Sequence, residues 1–136
     1  AALLDPHGRH IRFTANAINF GGAVTEAKWG DGRFSKDFLL NIRAEMYWGL
    51  KVRFEKTYEY VEALRKGEYC AHPHDELISI PDDPRLLSDL STVRVERTNT
   101  GKIKLQSKDE LTRSPDFGDW LALAFFSVKK LKVMVY

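Results

Sequence analysis

A long amphipathic stretch, Lys36 to Lys66, constrains the fold more than any other feature of this sequence. Leu39, Ile42, Met46, Leu50, Phe54, Tyr58, Val61 and Leu64 recur at three and four, while Arg43, Lys51, Glu55, Glu59 and Glu62 fall on other faces. The spacing predicts one long helix, ended by Gly67. Its apolar stripe must be covered by other elements, because packing rather than propensity supplies most helical stability in proteins. Gly49 inside the stretch costs about 1 kcal/mol relative to Ala and predicts either a bend or a close approach.

The covering elements alternate between strand and helix patterns. Thr92 to Thr98 alternates Val93 and Val95 with Arg94, Glu96 and Arg97; Asn99, Thr100 and Gly101 make a turn; Lys102 to Gln106 alternates Ile103 and Leu105 with Lys102 and Lys104. This predicts a hairpin with one apolar and one basic face. Upstream, Ile11 to Phe20 is expected as a strand closed by Gly21 and Gly22, and Ala1 to Leu4 as the tail of something longer. Pro81 and Pro84 bracket a break before a short helix from Arg85 to Leu90, and Lys129 to Tyr136 reads as a short strand or a loose tail. The pattern is that of a mixed α/β chain. At 136 residues, 43% apolar and 29% charged, the chain suits a single domain, residues 1–136, with a substantial core.

Composition excludes several classes. The single Cys70 leaves no internal disulfide and no cysteine metal cluster, and with no evident base partner it is an inert thiol by default. There is no signal-peptide pattern and no apolar run near the ~20 residues of a membrane helix, so a soluble intracellular protein is expected. His7 with His10, and His72 with His74, lie in Gly or Pro loops without further ligands at zinc spacing. Gly21 with Gly22, and Gly30, Asp31 and Gly32, lack the lysine and spacing of a phosphate loop.

The segment with chemical promise is SPDFGDWLALAF, Ser114 to Phe125. Ser114 is expected as N-cap, Pro115 at the first helical position, and Asp116 as the acid that complements the helix dipole. Phe117, Trp120, Leu121, Ala124, Phe125 and Val128 recur at three and four and predict a wide buried face. Asp116 and Asp119 are three residues apart, about 5 to 6 Å at Cβ, so they can face one small volume. Mg²⁺ or Mn²⁺ takes one or two carboxylates plus phosphate oxygens and water, the arrangement of metal-assisted phosphodiester cleavage. First-turn capping explains the same two residues without a metal.

Charge distribution adds a second indication. Net charge is +2, but His74 to Leu90 carries Asp75, Glu76, Asp82, Asp83 and Asp89 against Arg85 alone. From Thr92 to Arg113 the cations Arg94, Arg97, Lys102, Lys104, Lys108 and Arg113 outnumber Glu96, Asp109 and Glu110, and this run leads into the carboxylate helix. A basic strip beside paired carboxylates suits a phosphate polymer, with a solvated hairpin rim as the alternative.

RAEMYWGLK (Arg43 to Lys51), AINFGG (Ala17 to Gly22), IPDDPRLLSDLS (Ile80 to Ser91), GKIKLQSKDEL (Gly101 to Leu111) and SPDFGDWLALAF together resemble the C-terminal nuclease region of tailed-phage large terminase subunits. The resemblance covers nearly the whole chain and is weakest around Tyr58 to Leu77 and in the last ten residues. It implies a ribonuclease-H-like mixed sheet flanked by helices, truncated at the N-terminus. In that family, acidic side chains hold two divalent metals, Mg²⁺ or Mn²⁺, and cut concatemeric double-stranded viral DNA during genome packaging in the host cytoplasm. By motif position it implies Asp116 as the last catalytic acid and Asp119 as its accessory or structural partner. Lys108 in QSKDEL is the implied phosphate contact, helped by Lys102, Lys104 and Arg113. Arg43 and Glu45 look like an ion-paired structural signature.

The departures are specific. The family's packaging ATPase has no counterpart here, and its first two metal-binding Asp positions would fall before residue 1, with Asp5 in a loop context that does not replace them. Trp120 stands where a small residue is usual and is expected to shift the helix. Implied partners are viral DNA, the portal, the small terminase subunit and the ATPase domain. Three roles remain open: a nuclease fragment, a non-cutting nucleic-acid-binding module, and an interaction subunit using the acidic segment.

Overall fold

The computed structural model describes residues 6–9, 17–111 and 113–126. The long helix begins later than its periodicity predicts. Ser35–Phe38 makes one turn, α1, and the helix proper, α2, spans Ile42–Arg65. Leu39 and Asn41 between them are extended. Leu39 is fully buried and bridges Ile103 in parallel, while the Leu40 N–H donates to the Ile103 carbonyl at 2.9 Å. Those backbone groups cannot serve a helix and this bridge together, so the tertiary contact breaks the periodic run. Asn41 then caps α2, its side chain accepting from the Ala44 N–H at 3.0 Å.

The other end follows the sequence reading. Gly67 takes φ +69°, where a side chain is disfavoured, and the Glu68 N–H reaches back to the Ala63 carbonyl at 2.8 Å. Gly49 marks a close approach, since a Cβ there would lie 3.6 Å from the Trp29 ring, and α2 is one element through it.

Two apolar clusters flank α2. Met46 and Leu50 pack with Ile78, with Leu86 of α3 (Pro84–Thr92), and with Leu121 and Ala122 of α4 (Asp116–Ala124). Ala44 packs with Phe38, Leu39 and Ile103. Ile103 belongs to β2 (Ile103–Leu105), which pairs antiparallel with β1 (Val95–Arg97) in the register Val95 to Leu105, Glu96 to Lys104 and Arg97 to Ile103. The predicted hairpin is therefore present, though its strands are shorter. Its basic face is not: Lys104 pairs with Glu96 across the strands at 3.1 Å, leaving a face of mixed charge.

Of the expected strand Ile11 to Phe20, residues 11–16 lie outside the described residues; 17–20 carry no strand, and the Gly22 N–H closes a turn onto the Asn19 carbonyl. The expectations for Ala1 to Leu4 and Lys129 to Tyr136 also lie outside the described residues. No helix among the described residues is long and apolar enough to cross a membrane.

α4 buries a different face from the one its bulky residues predict. Gly118, Asp119, Leu121 and Ala122 are buried, while Phe117, Trp120, Leu123 and Ala124 are exposed. Close packing decides this. A Cβ at Gly118 would lie 3.0 Å from the Tyr47 hydroxyl and 3.5 Å from Asp89 Cβ, so only a face with small residues at its start fits against α2 and α3. Trp120, 60% exposed, sits outside the core and has nothing to displace there.

Candidate functional site

Asp119 is the centre of a buried polar cluster built by α2, α4 and the turn at Lys108–Glu110. The Tyr47 hydroxyl donates to its Oδ1 at 2.7 Å, Arg43 Nη2 lies 3.6 Å from Oδ1, and Lys108 Nζ lies 2.6 Å from Oδ2. Its side chain is only 7% exposed, so this charge is stable inside because the cations are there. Burial, followed by the hydrogen bond and charge of Asp119, pushes the Tyr47 hydroxyl well above the usual phenol range and keeps it a donor. Arg43 is also fixed through Nη1, which donates to the Gln106 carbonyl at 3.0 Å.

The expected Arg43–Glu45 pair does not form. Glu45 turns to the other side of α2, accepting from the Thr25 N–H at 2.9 Å, the Thr25 hydroxyl at 2.5 Å and the Ser35 hydroxyl at 2.6 Å. Residues two apart do not share a helix face, which sends the two charges to separate partners.

Asp116 and Asp119 meet different surroundings. Asp116 is exposed, and its Oδ1 accepts from the Ser114 hydroxyl at 2.6 Å. Ser114 is thus not the cap of α4: Pro115 holds the N-cap position with no side-chain cap. The acceptor comes instead from α3. Asp89 Oδ2 accepts from the Phe117 N–H at 2.8 Å and more weakly from the Gly118 N–H at 3.4 Å, and Asp89 Oδ1 pairs with Arg113. Arg113 is therefore engaged by a buried carboxylate, Lys104 by Glu96, and Lys108 by Asp119; Lys102 sits half-buried at the end of the hairpin turn. Sequence reasoning placed Asp89 in an acidic segment available for interaction, yet it is 1% exposed. The available signal was its register: Asp89 falls in one stripe with Leu86, Leu90 and Val93. Two other members of that segment are also occupied, Glu76 by Lys56 and Asp83 by Arg85.

The chemistry open to this cluster is that of a fixed carboxylate flanked by cations. Asp119 Oδ2 is buried and faces the Lys108 ammonium at 2.6 Å, so an electropositive ligand would have to displace that lysine. Lys108 and Arg43 oppose a second cation at the same place, and no group of three or more His, Cys, Asp or Glu among the described residues could hold a metal ion. His72 pairs with Glu59 at 2.5 Å and His74 with Tyr60 at 3.2 Å, away from any such cluster.

No protein-family model matches the chain, and no curated protein matches it. Solved structures do. The nuclease domain of the large terminase subunit gp2 of bacterial virus Sf6 superposes with a TM-score of 0.66 at 23% identity, over 81% of this chain and 52% of that one. A lysine-to-alanine variant of that domain with manganese gives 0.64 at 23%, and the variant with manganese and beta-thujaplicinol 0.64 at 21%, each with the same coverage. The chain spans about half the length of the solved domains that it matches. It has the mixed α/β, ribonuclease-H-like fold of a terminase nuclease domain over that part.

Proposed function

From that fold as premise, we propose that residues 1–136 act as one unit, the later part of a terminase-type nuclease domain, and that the unit engages double-stranded DNA beside Asp119. The observation that carries this reading is Asp119 itself, a buried carboxylate on the first turn of α4 with a half-exposed lysine, Lys108, at 2.6 Å. Lys108 can turn outward to a phosphate, and Lys102, Lys104 and Arg113, the last two exchanging their carboxylate partners for phosphate, are the further contacts in this reading. In this reading Asp119 is the structurally fixed acid and Asp116 the solvent-facing one. Manganese and calcium accompany the solved gp2 domains, and a divalent ion, Mg²⁺ or Mn²⁺, is the cofactor proposed for the complete site here. Among the described residues no group of three or more His, Cys, Asp or Glu could hold a metal ion, and this reading takes the remaining metal-binding acids from outside them. Portal, small terminase subunit and ATPase are the partners this role brings, in the host cytoplasm. The incomplete acid set supports a second reading, a DNA-binding or packaging-complex element that does not cut.

Two measurements on the purified chain test this. DNA binding, read by anisotropy with a labelled duplex, is expected to weaken as salt rises and to drop in Lys108→Ala. Supercoiled-plasmid nicking in Mn²⁺ or Mg²⁺ is compared for the unaltered chain, Asp116→Ala and Asp119→Asn. Binding without nicking supports the incomplete-nuclease reading. Metal-dependent nicking abolished by either acid substitution shows a complete site and overturns it. A folded chain with no affinity for DNA at low salt sinks the nucleic-acid role.

A further inference from the structure

We infer that Asp89 is the positioning residue of the Asp119 site, holding the start of α4 in register with α2 from a separate helix. The inference rests on the reading of Asp119 as the functional acid, but its basis is independent geometry.

The first turn of a helix has amide donors with no acceptor inside the helix. In α4 the local candidates do not serve: Pro115 at the N-cap has no side-chain acceptor, and the Ser114 hydroxyl is turned to Asp116. Asp89 supplies the acceptor for Phe117 and Gly118 from 28 and 29 residues upstream. Its side chain is 2% exposed, so these bonds are shielded from water. Arg113 closes the arrangement by pairing with the other oxygen, which keeps the buried carboxylate neutralised.

The same turn sets Asp119. The Asp119 N–H bonds to the Pro115 carbonyl at 2.8 Å, directly after the two amides that Asp89 holds. Gly118 lets α4 approach both Asp89 and the Tyr47 hydroxyl, as the 3.5 and 3.0 Å distances from its Cβ position show. Asp89 and Tyr47 thus grip the same turn from α3 and α2. Releasing the Asp89 grip frees the turn to move, and Asp119 moves with it away from Tyr47 and Arg43. Asp89 bonds to Arg113 and to the amides of Phe117 and Gly118, not to Asp119, so it acts through α4 rather than as a catalytic residue.

Hydrogen exchange in the unaltered chain gives the first test. The Phe117 and Gly118 amides are expected to exchange at least ~100-fold more slowly than unprotected ones. Exchange at the unprotected rate overturns the inference without any variant. The second test follows the nuclear Overhauser contact between the Tyr47 ring and the Gly118 Cα protons, which the close approach of Gly118 to the Tyr47 hydroxyl predicts, in Asp89→Ala, Asp89→Asn and Ile78→Ala. In Asp89→Ala this contact is expected to be lost. Asp89→Asn keeps an acceptor oxygen and is expected to restore most of the amide protection and the contact. Ile78→Ala, a core truncation away from α4's start, is expected to lower the melting temperature without moving Tyr47. If Tyr47 in Asp89→Ala behaves as it does in Ile78→Ala, Asp89 is a stabiliser only and the inference fails. The readout is geometric, so a moved Tyr47 in a chain that does not bind DNA sinks the DNA reading alone, and an unmoved Tyr47 in a DNA-binding chain sinks this one alone.

Discussion

Asp119 lies between two cations whose distance and exposure pull in opposite directions. Lys108 Nζ is 2.6 Å away with its side chain 43% exposed, and Arg43 Nη2 is 3.6 Å away with its side chain 11% exposed. At one shared effective dielectric near 20, the lysine contact would be the stronger, about 6 against about 5 kcal/mol gross. Water around the lysine raises its effective dielectric to roughly 60, which cuts its gross attraction to about 2 kcal/mol. Immobilising the long side chain costs up to about 2 kcal/mol of rotamer entropy, so the net coupling falls to about 0–1 kcal/mol. Arg43 is already held by the Gln106 carbonyl and is dry, and it retains a coupling of about 2–3 kcal/mol. Urea unfolding of two double-mutant cycles, Asp119→Asn with Arg43→Met and Asp119→Asn with Lys108→Met, measures both terms. The farther cation is expected to couple more strongly, and the Lys108 term to shrink further between about 0.05 and about 1 M salt. A Lys108 coupling equal to that of Arg43, or one insensitive to salt, would refute the argument that exposure outweighs distance.

Three further outcomes follow from the same packing. Gly118→Ala is expected to destabilise by about 1–2 kcal/mol despite Ala's helix propensity, because its Cβ meets a Tyr47 hydroxyl already bonded to Asp119; a stabilised variant in urea would show that Tyr47 yields freely. Trp120→Ser is expected to change stability by no more than about 0.5 kcal/mol, and Leu121→Ala to cost about 2–4 kcal/mol, with thermal melts separating the exposed from the buried face of α4. Tyr47 titrates higher when folded than when unfolded, so its contribution is whole below about pH 10 and declines as pH rises above it, by up to about 1.4 kcal/mol per unit. Tyr47→Phe is expected to remove that decline, checked by urea midpoints at about pH 9, 10 and 11.

What the sequence made legible was local. The hairpin was readable because Val95, Ile103 and Leu105 alternate around a turn whose Gly101 takes φ +81°, and the end of α2 because Gly67 follows its last apolar repeat. The terminase-type fold was readable from five short motifs taken together. The start of α2 was not, because Leu39 keeps helical spacing while its backbone serves Ile103, 64 positions later. The exposed face of α4 was hidden for a related reason: periodicity counts Phe117 and Trp120 as core, and only contact with Tyr47 and Asp89 reveals that a glycine must face inward. At the site, Asp119 and Lys108 were singled out separately, and the structure joins them. Tyr47 and Asp89 were missed because their partners lie 72 and 28 residues away, beyond any local pattern.

The two polar anchors of α2 also differ in when they can form. Glu45 collects partners only 10 and 20 residues upstream, so that knot can tie as soon as the early chain has collapsed on the first turns of the helix. Asp119, on the last described helix, meets Tyr47 across 72 residues, which makes its closure a late event with a larger loop to order. On a ribosome the first anchor can be complete while α4 is still being made. Destabilised from the native side, the order reverses: α4 is the expected first element to detach, taking the Asp119 site apart while the α2 scaffold and its Glu45 anchor persist.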